Sequence, residues 1–149
     1  AILKQLKVDA IKNGTVIDHI PAGKALKVYE ILSPQTKKVT TIGMNLSSKT
    51  HGKKDLIKIE GLEISTRAVN RISLVAPSAT LIIIREFEVF KKSEVKIPKT
   101  ITNAVKCPNI KCITNFEEIE TKFTKEKAEE ESLRCSYCER LFTVYEFEV

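Results

Sequence analysis

The chain has 149 residues, 42% hydrophobic and 30% charged, with 25 Lys+Arg against 19 Asp+Glu and a formal net charge of +6. Length and composition suit one ordinary folded domain or two small ones, and exclude a disordered or collagenous chain. The longest apolar run, Leu81-Ile82-Ile83-Ile84, is far short of the ~18 residues a membrane-crossing helix needs; no secretory signal is visible, so a cytoplasmic protein without a membrane partner is expected.

Ile2–Val8 alternates loosely and suits a strand. Asn13-Gly14 is a tight-turn signal between apolar runs, and Thr15–Ile20 after it is β-branched and reads as a second strand or its end. Pro21 can open a helix, since its missing N–H would have no partner in a first turn. Ala22, Leu26, Tyr29 and the Leu32/Ser33 edge then predict one apolar stripe, stopped by Ser33-Pro34. Val39–Leu46 and Lys53–Glu60 read as strands on either side of a polar loop holding His51. Ser65 is placed to cap a helix whose Ala68, Val69, Ile72, Val75 and Ala76 share a face and which Pro77 ends. Thr80–Lys92 reads as one long apolar strand. Strand, helix, two strands, helix, strand is the order of an α+β antiparallel sheet with two helices on one face, a ferredoxin-like plan.

From Lys92 to Thr100 the chain turns polar and loses its period. Residues 1–97 hold 17 Lys+Arg and 9 Asp+Glu, whereas residues 98–149 hold 8 and 10, together with all four cysteines. A boundary near 93–102 follows, giving domains 1–95 and 96–149.

In the second part, Cys107-x4-Cys112 and Cys135-x2-Cys138 are separated by 22 residues. Two close pairs can bring four thiolates to the corners of a tetrahedron of radius ~2.3 Å, the preference of structural zinc. About 50 residues bury little core, so a metal staple is useful there. Two disulfides are the alternative, but the lack of a secretory signal favours zinc in a small β-rich, zinc-ribbon-like domain. With four cysteine ligands no position is left for a catalytic water.

Net charge +6 invites a nucleic-acid reading, and a zinc-ribbon nucleic-acid-binding protein is the alternative function. The stretches Phe116–Glu120 and Lys125–Glu131 are acidic, however, and would repel phosphates. No catalytic constellation is present: the five glycines are scattered singly, and His19 and His51 stand in no triad or metalloprotease motif. Lys54 and Lys58 share a strand face by alternation. With Lys92 and Asp18-His19 they could hold a small polyanion, although a solvated face of snorkelling lysines is the plainer reading of the spacing alone.

Several blocks together resemble the regulatory chain of aspartate carbamoyltransferase. They are Val8–Pro21, Gly43-Met-Asn-Leu46, Lys53–Glu60, Ala76-Pro77-Ser-Ala-Thr80, Cys107-Pro-Asn-x-x-Cys112 and Cys135-x-Tyr-Cys138, in the family's order and spacing across nearly the whole chain. The resemblance implies a non-catalytic subunit that binds CTP, ATP and UTP, pairs with a second regulatory chain and docks through its zinc domain on catalytic trimers. In that family CTP typically inhibits and ATP typically activates carbamoyl transfer to aspartate. Carried over to matching positions, Ala10 and Ile11 would meet the base, beside Val8 and Val16. Asp18 and Lys58 would contact the ribose, and His19 and Lys92 would lie near the phosphates. Phe87 and Val89 would pack nearby, and Lys54 would serve a second nucleotide or a metal-bridged phosphate. Ile82 stands where some members have an Asn that reads the base.

Overall fold

The computed structural model describes residues 10–32, 37–50, 52–127 and 131–149. The expected strand Ile2–Val8, the Ser33-Pro34 stop and His51 lie outside them. The chain divides into two compact units, Ala1–Ile64 with Ser78–Glu94, and Ser65–Pro77 with Val95–Val149.

The first unit contains β1 (Gly14–Pro21), α1 (Ala25–Leu32), β2 (Thr40–Ser48), β3 (Gly52–Glu60), β4 (Thr80–Arg85) and β5 (Glu88–Glu94). The strands form one antiparallel sheet in the order β2-β3-β1-β4-β5, the ferredoxin-like order with one added edge strand. Alternation gives the sheet two unlike faces. Ile17, Ile57 and Ile59 lie on one and are buried, as are Ala25, Val28 and Ile31 of α1. The other face carries the charged residues considered below.

Two elements differ from their sequence reading. The helix begins at Ala25 and not at Pro21, which is the last residue of β1. Its buried stripe is Ala25, Val28 and Ile31, leaving Leu26 55% exposed. The reason is tertiary. The Asp55 carboxylate, on β3, accepts from Gly23 N (2.8 Å) and Ala25 N (3.0 Å) and fixes where the first turn starts. The single strand read over Thr80–Lys92 is a hairpin. Its turn residues Glu86 and Phe87 both have positive φ (49° and 64°), the conformation that tight hairpins require and that Gly or Asn ordinarily signals. Here loop 12–13 holds it, through Phe87 N to Lys12 O (2.9 Å) and Glu86 N to Asn13 Oδ1 (3.2 Å).

The second unit contains α2 (Thr66–Val75), β6 (Thr100–Thr102), β7 (Lys122–Lys125), β8 (Ser132–Cys135) and β9 (Leu141–Thr143), with two short 3-10 turns, Ile113–Asn115 and Val144–Glu146. The four strands pair antiparallel in sequence order. Ser65 caps α2, its side chain accepting from Ala68 N at 3.1 Å. Although α2 precedes β4 in sequence, its Leu74 belongs to the core of this unit with Ile101, Phe123, Leu133 and Phe147. Arg67 Nε also donates to Asn103 O at 2.7 Å. Phe147 meets Phe123 and Phe142 edge-on, with centroids 5.0 Å and 5.9 Å apart, a favoured aromatic geometry.

Candidate functional site

On the polar sheet face, register sets the neighbours. Lys58, Val16, Ile82 and Lys92 form one row across β3, β1, β4 and β5. Gly14, Ile84 and Val89 form the row on one side; Asp18, Thr80 and Glu94 form the row on the other. A bulge between Ile83 and Ile84 sets Val89, and not Phe90, opposite Ile84, which brings Val89 onto this face. A second bulge, between Ile17 and Ile20 of β1, contains Asp18 and His19, the latter at φ 55°. There Lys54 Nζ pairs with Asp18 Oδ1 at 2.8 Å, and His19 Nδ1 lies 3.1 Å from Thr80 Oγ1.

Thus Val16, Asp18, His19, Lys54, Lys58, Val89 and Lys92 come together. Ala10 and Ile11 lead into β1, Ala10 exposed and Ile11 buried against Gly14. Phe87 stands apart at the hairpin tip, 64% exposed. Thr80, which sequence reasoning did not single out, holds the imidazole. Its signal was available in its position opposite Asp18 once the strand pairing is known.

Burial alone would raise the Asp18 pKa. The hydrogen bonds from Lys54 and from its neighbour's amide, with the charge of Lys54, outweigh burial and hold it below its ordinary 3.8. A carboxylate with a lowered folded pKa contributes stability that is complete above the unfolded pKa and is lost as pH falls through the folded one. The stability difference between the native chain and Lys54→Met should therefore shrink towards zero below about pH 4. Urea unfolding at stepped pH measures it; a difference that stays constant with pH would show that the pair does not hold Asp18 ionised.

In the second unit Cys107 follows β6, Cys112 precedes the 3-10 turn, Cys135 ends β8 and Cys138 lies in the turn before β9. All four are free, and their sulfurs lie within 4.8 Å of one another. Cys107–Cys138 and Cys112–Cys135 are each 3.8 Å apart, against about 2.05 Å in a disulfide. A tetrahedron of radius ~2.3 Å has edges of about 3.8 Å, so the spacing fits four thiolates around one ion. Asn109 O accepts from Cys112 N (2.9 Å), and Asn115 Nδ2 donates to Cys107 O (3.1 Å) and Asn109 O (2.8 Å), which fixes the first pair. Burial raises Cys107 and Cys135. It acts on Cys112 as well, but hydrogen bonds from the Thr114 side chain and amide and from Cys135 prevail and bring that thiol to about 7. Such a pocket resists four bare negative charges, and a cation relieves that.

An α+β unit with a lysine-bearing sheet face, and a second unit whose four cysteines are spaced to hold one metal ion, define a two-unit chain with a metal-binding part. Known proteins narrow this further. The family model of the aspartate carbamoyltransferase regulatory chain allosteric domain matches residues 6–96, and that of its metal binding domain matches residues 99–148. The aspartate carbamoyltransferase regulatory chain of Methanococcus maripaludis is 50% identical over 137 residues, covering 92% of this chain and 93% of its own. That of Pyrococcus abyssi is 50% identical over 143 residues, covering 93% of each chain. That of Thermococcus sibiricus is 46% identical over 138 residues, covering 93% of this chain and 92% of its own. The chain belongs to the aspartate carbamoyltransferase regulatory chain family. It is therefore a non-catalytic subunit with a metal-binding part, and its partner is a catalytic chain.

Proposed function

We propose that this chain is the effector-sensing subunit of a cytoplasmic aspartate carbamoyltransferase, with a nucleotide-binding domain over residues 1–95 and a zinc domain over 96–149. CTP, ATP and UTP bind the first, which pairs with a second regulatory chain. Zinc folds the second, which docks on catalytic trimers in a holoenzyme of two trimers and three regulatory dimers. The observation that carries the reading is the cross-strand row Lys58–Val16–Ile82–Lys92 beside the Asp18–Lys54 pair and His19. Two lysines and an imidazole suit a polyphosphate. Asp18 suits ribose hydroxyls, and Ile11, Val16 and Val89 suit the flat face of a base. Docking is supported by Ile110, Phe116 and Tyr137, which the two cysteine turns leave exposed.

A nucleotide shifts the holoenzyme only by its differential affinity for the low- and high-activity states, with a typical coupling of ~1–3 kcal/mol. Mixing the chain with catalytic trimers and following particle size, together with the effect of CTP on carbamoyl transfer, tests the whole reading. Trimers that neither enlarge nor respond would refute it. The site is tested separately by calorimetry. Lys58→Ala should weaken CTP binding at least about tenfold, the equivalent of one charge-assisted hydrogen bond, while Lys49→Ala in the β2–β3 turn should leave it unchanged. Equal losses would refute the assignment.

A further inference from the structure

The second unit carries 11 Lys+Arg against 10 Asp+Glu, and one of its grooves gathers three cations and a single carboxylate among its lining residues. Arg67 and Arg71 of α2, Lys106 and Glu148 line an opening of about 470 Å³ together with Asn103, Thr121 and apolar neighbours such as Val105 and Ile119. The two arginines reach it because α2 packs in this unit. Arg67 is anchored by its Nε bond to Asn103 O. Arg71 is not anchored: its Nε is buried and has no hydrogen-bond partner among the described residues. Among the described residues no carboxylate lies within ion-pair distance of Arg67, Arg71 or Lys106, Glu148 included. A buried, unpaired guanidinium N–H costs about 1–3 kcal/mol or more relative to a satisfied one. Burial and the neighbouring charge of Arg67 both press the Arg71 pKa down, as is expected of like charges that lack a counter-ion.

We propose that this groove is a binding site for a small, doubly charged oxyanion of the phosphate class, distinct from the nucleotide face of the first unit. The Nε–Nη edge of a guanidinium offers two parallel donors that match two oxygens of one phosphoryl group. Arg71 supplies that edge, Arg67 and Lys106 supply the remaining charge, and Glu148 limits the surplus to what a dianion neutralises. Occupancy stabilises the unit by linkage, because the ligand favours the state in which α2 is seated.

The probe is inorganic phosphate, titrated into the metal-loaded full chain while the arginine Nε–Hε resonances are followed, with chloride at equal ionic strength as the control. The Arg71 Hε signal should shift and saturate at millimolar phosphate. Arg67→Gln should weaken this at least about tenfold. A Lys58→Ala/Lys92→Ala chain, disabled on the nucleotide face, should retain it. A resonance that phosphate leaves unmoved, or that chloride moves equally, would overturn the proposal. If phosphate leaves Arg71 unmoved and Arg71→Gln instead weakens assembly with catalytic trimers, the groove receives a partner's carboxylate and the free-oxyanion assignment is wrong. An unchanged backbone spectrum in each variant excludes misfolding as the cause.

Discussion

Stripped of its metal by a chelator, the second unit will unfold, and the holoenzyme will release catalytic trimers that keep their activity and no longer answer to nucleotides. The unit is made of strands of three or four residues. Three of its cysteines are themselves core residues, beside Phe123 and Leu133. Binding of a structural zinc ion contributes ~10–16 kcal/mol at neutral pH, as large as the ~5–15 kcal/mol of a whole domain's stability. The ring signals of Phe123, Phe142 and Phe147 should collapse on chelation and return when zinc is added, while amide signals of β1, β3 and β4 persist. Trimers that remain bound to the metal-free chain would refute this account, as would ring signals that survive chelation.

Acid acts through the same equilibrium. Each ligand must be a thiolate, so protons compete with the metal and affinity falls as pH falls. Cys112, near 7, is the thiol that ionises most readily, whereas burial holds protons on Cys107 and Cys135. Metal release on acidification should therefore precede the loss of the Asp18–Lys54 contribution, which sets in only below pH 4. The metal site and the Asp18–Lys54 pair should respond in separate pH ranges of one titration.

What the sequence made legible followed local rules. The cysteine spacing indicated the metal cluster because both pairs sit in tight turns that bring them within reach of one ion. Ser65 announced α2, the β-branched run Thr15–Ile20 after Asn13-Gly14 announced β1, and Lys53–Glu60 was legible as β3, with alternation placing Lys54 and Lys58 on one face. The failures share a different cause: a partner distant in sequence decided the local structure. Glu86-Phe87 has no turn chemistry of its own, and loop 12–13 supplies it. The start of α1 is set by Asp55, about thirty residues away in sequence. The Arg67–Arg71 groove was hidden because α2 packs in the unit that follows β5 in sequence, so that counting charge by stretches of chain assigned both arginines elsewhere.

The mutation with the largest expected effect in the first unit is at Asp55, a residue that periodicity treats as one more charge in a strand. It is fully buried and has no cationic side-chain partner among the described residues. Instead it receives three backbone N–H groups: Gly23 and Ala25 at the start of α1 on Oδ2, and Asn45 (2.9 Å) on Oδ1. The helix N-terminus carries partial positive charge that favours a carboxylate there. On β3 it stands where both neighbouring strands bulge, β1 between Ile17 and Ile20 and β2 between Gly43 and Leu46. One carboxylate thereby pins a helix start and two bulges, one of which presents Asp18 and His19. Asp55→Asn keeps the volume but turns an NH2 group towards at least one of these donors, and Asp55→Ala leaves all three without an acceptor. At ~1–3 kcal/mol for each unsatisfied buried donor, Ala should destabilise the first unit by about 3–6 kcal/mol and Asn by roughly half of that. Urea unfolding followed through β1–β5 amide signals measures both losses. At low urea, where the Asn variant is still folded, it should bind CTP more weakly although residue 55 faces away from the ligand, because Asp18 and His19 are no longer held in place. Undiminished CTP affinity in that variant would separate the structural role of Asp55 from any role in positioning the site.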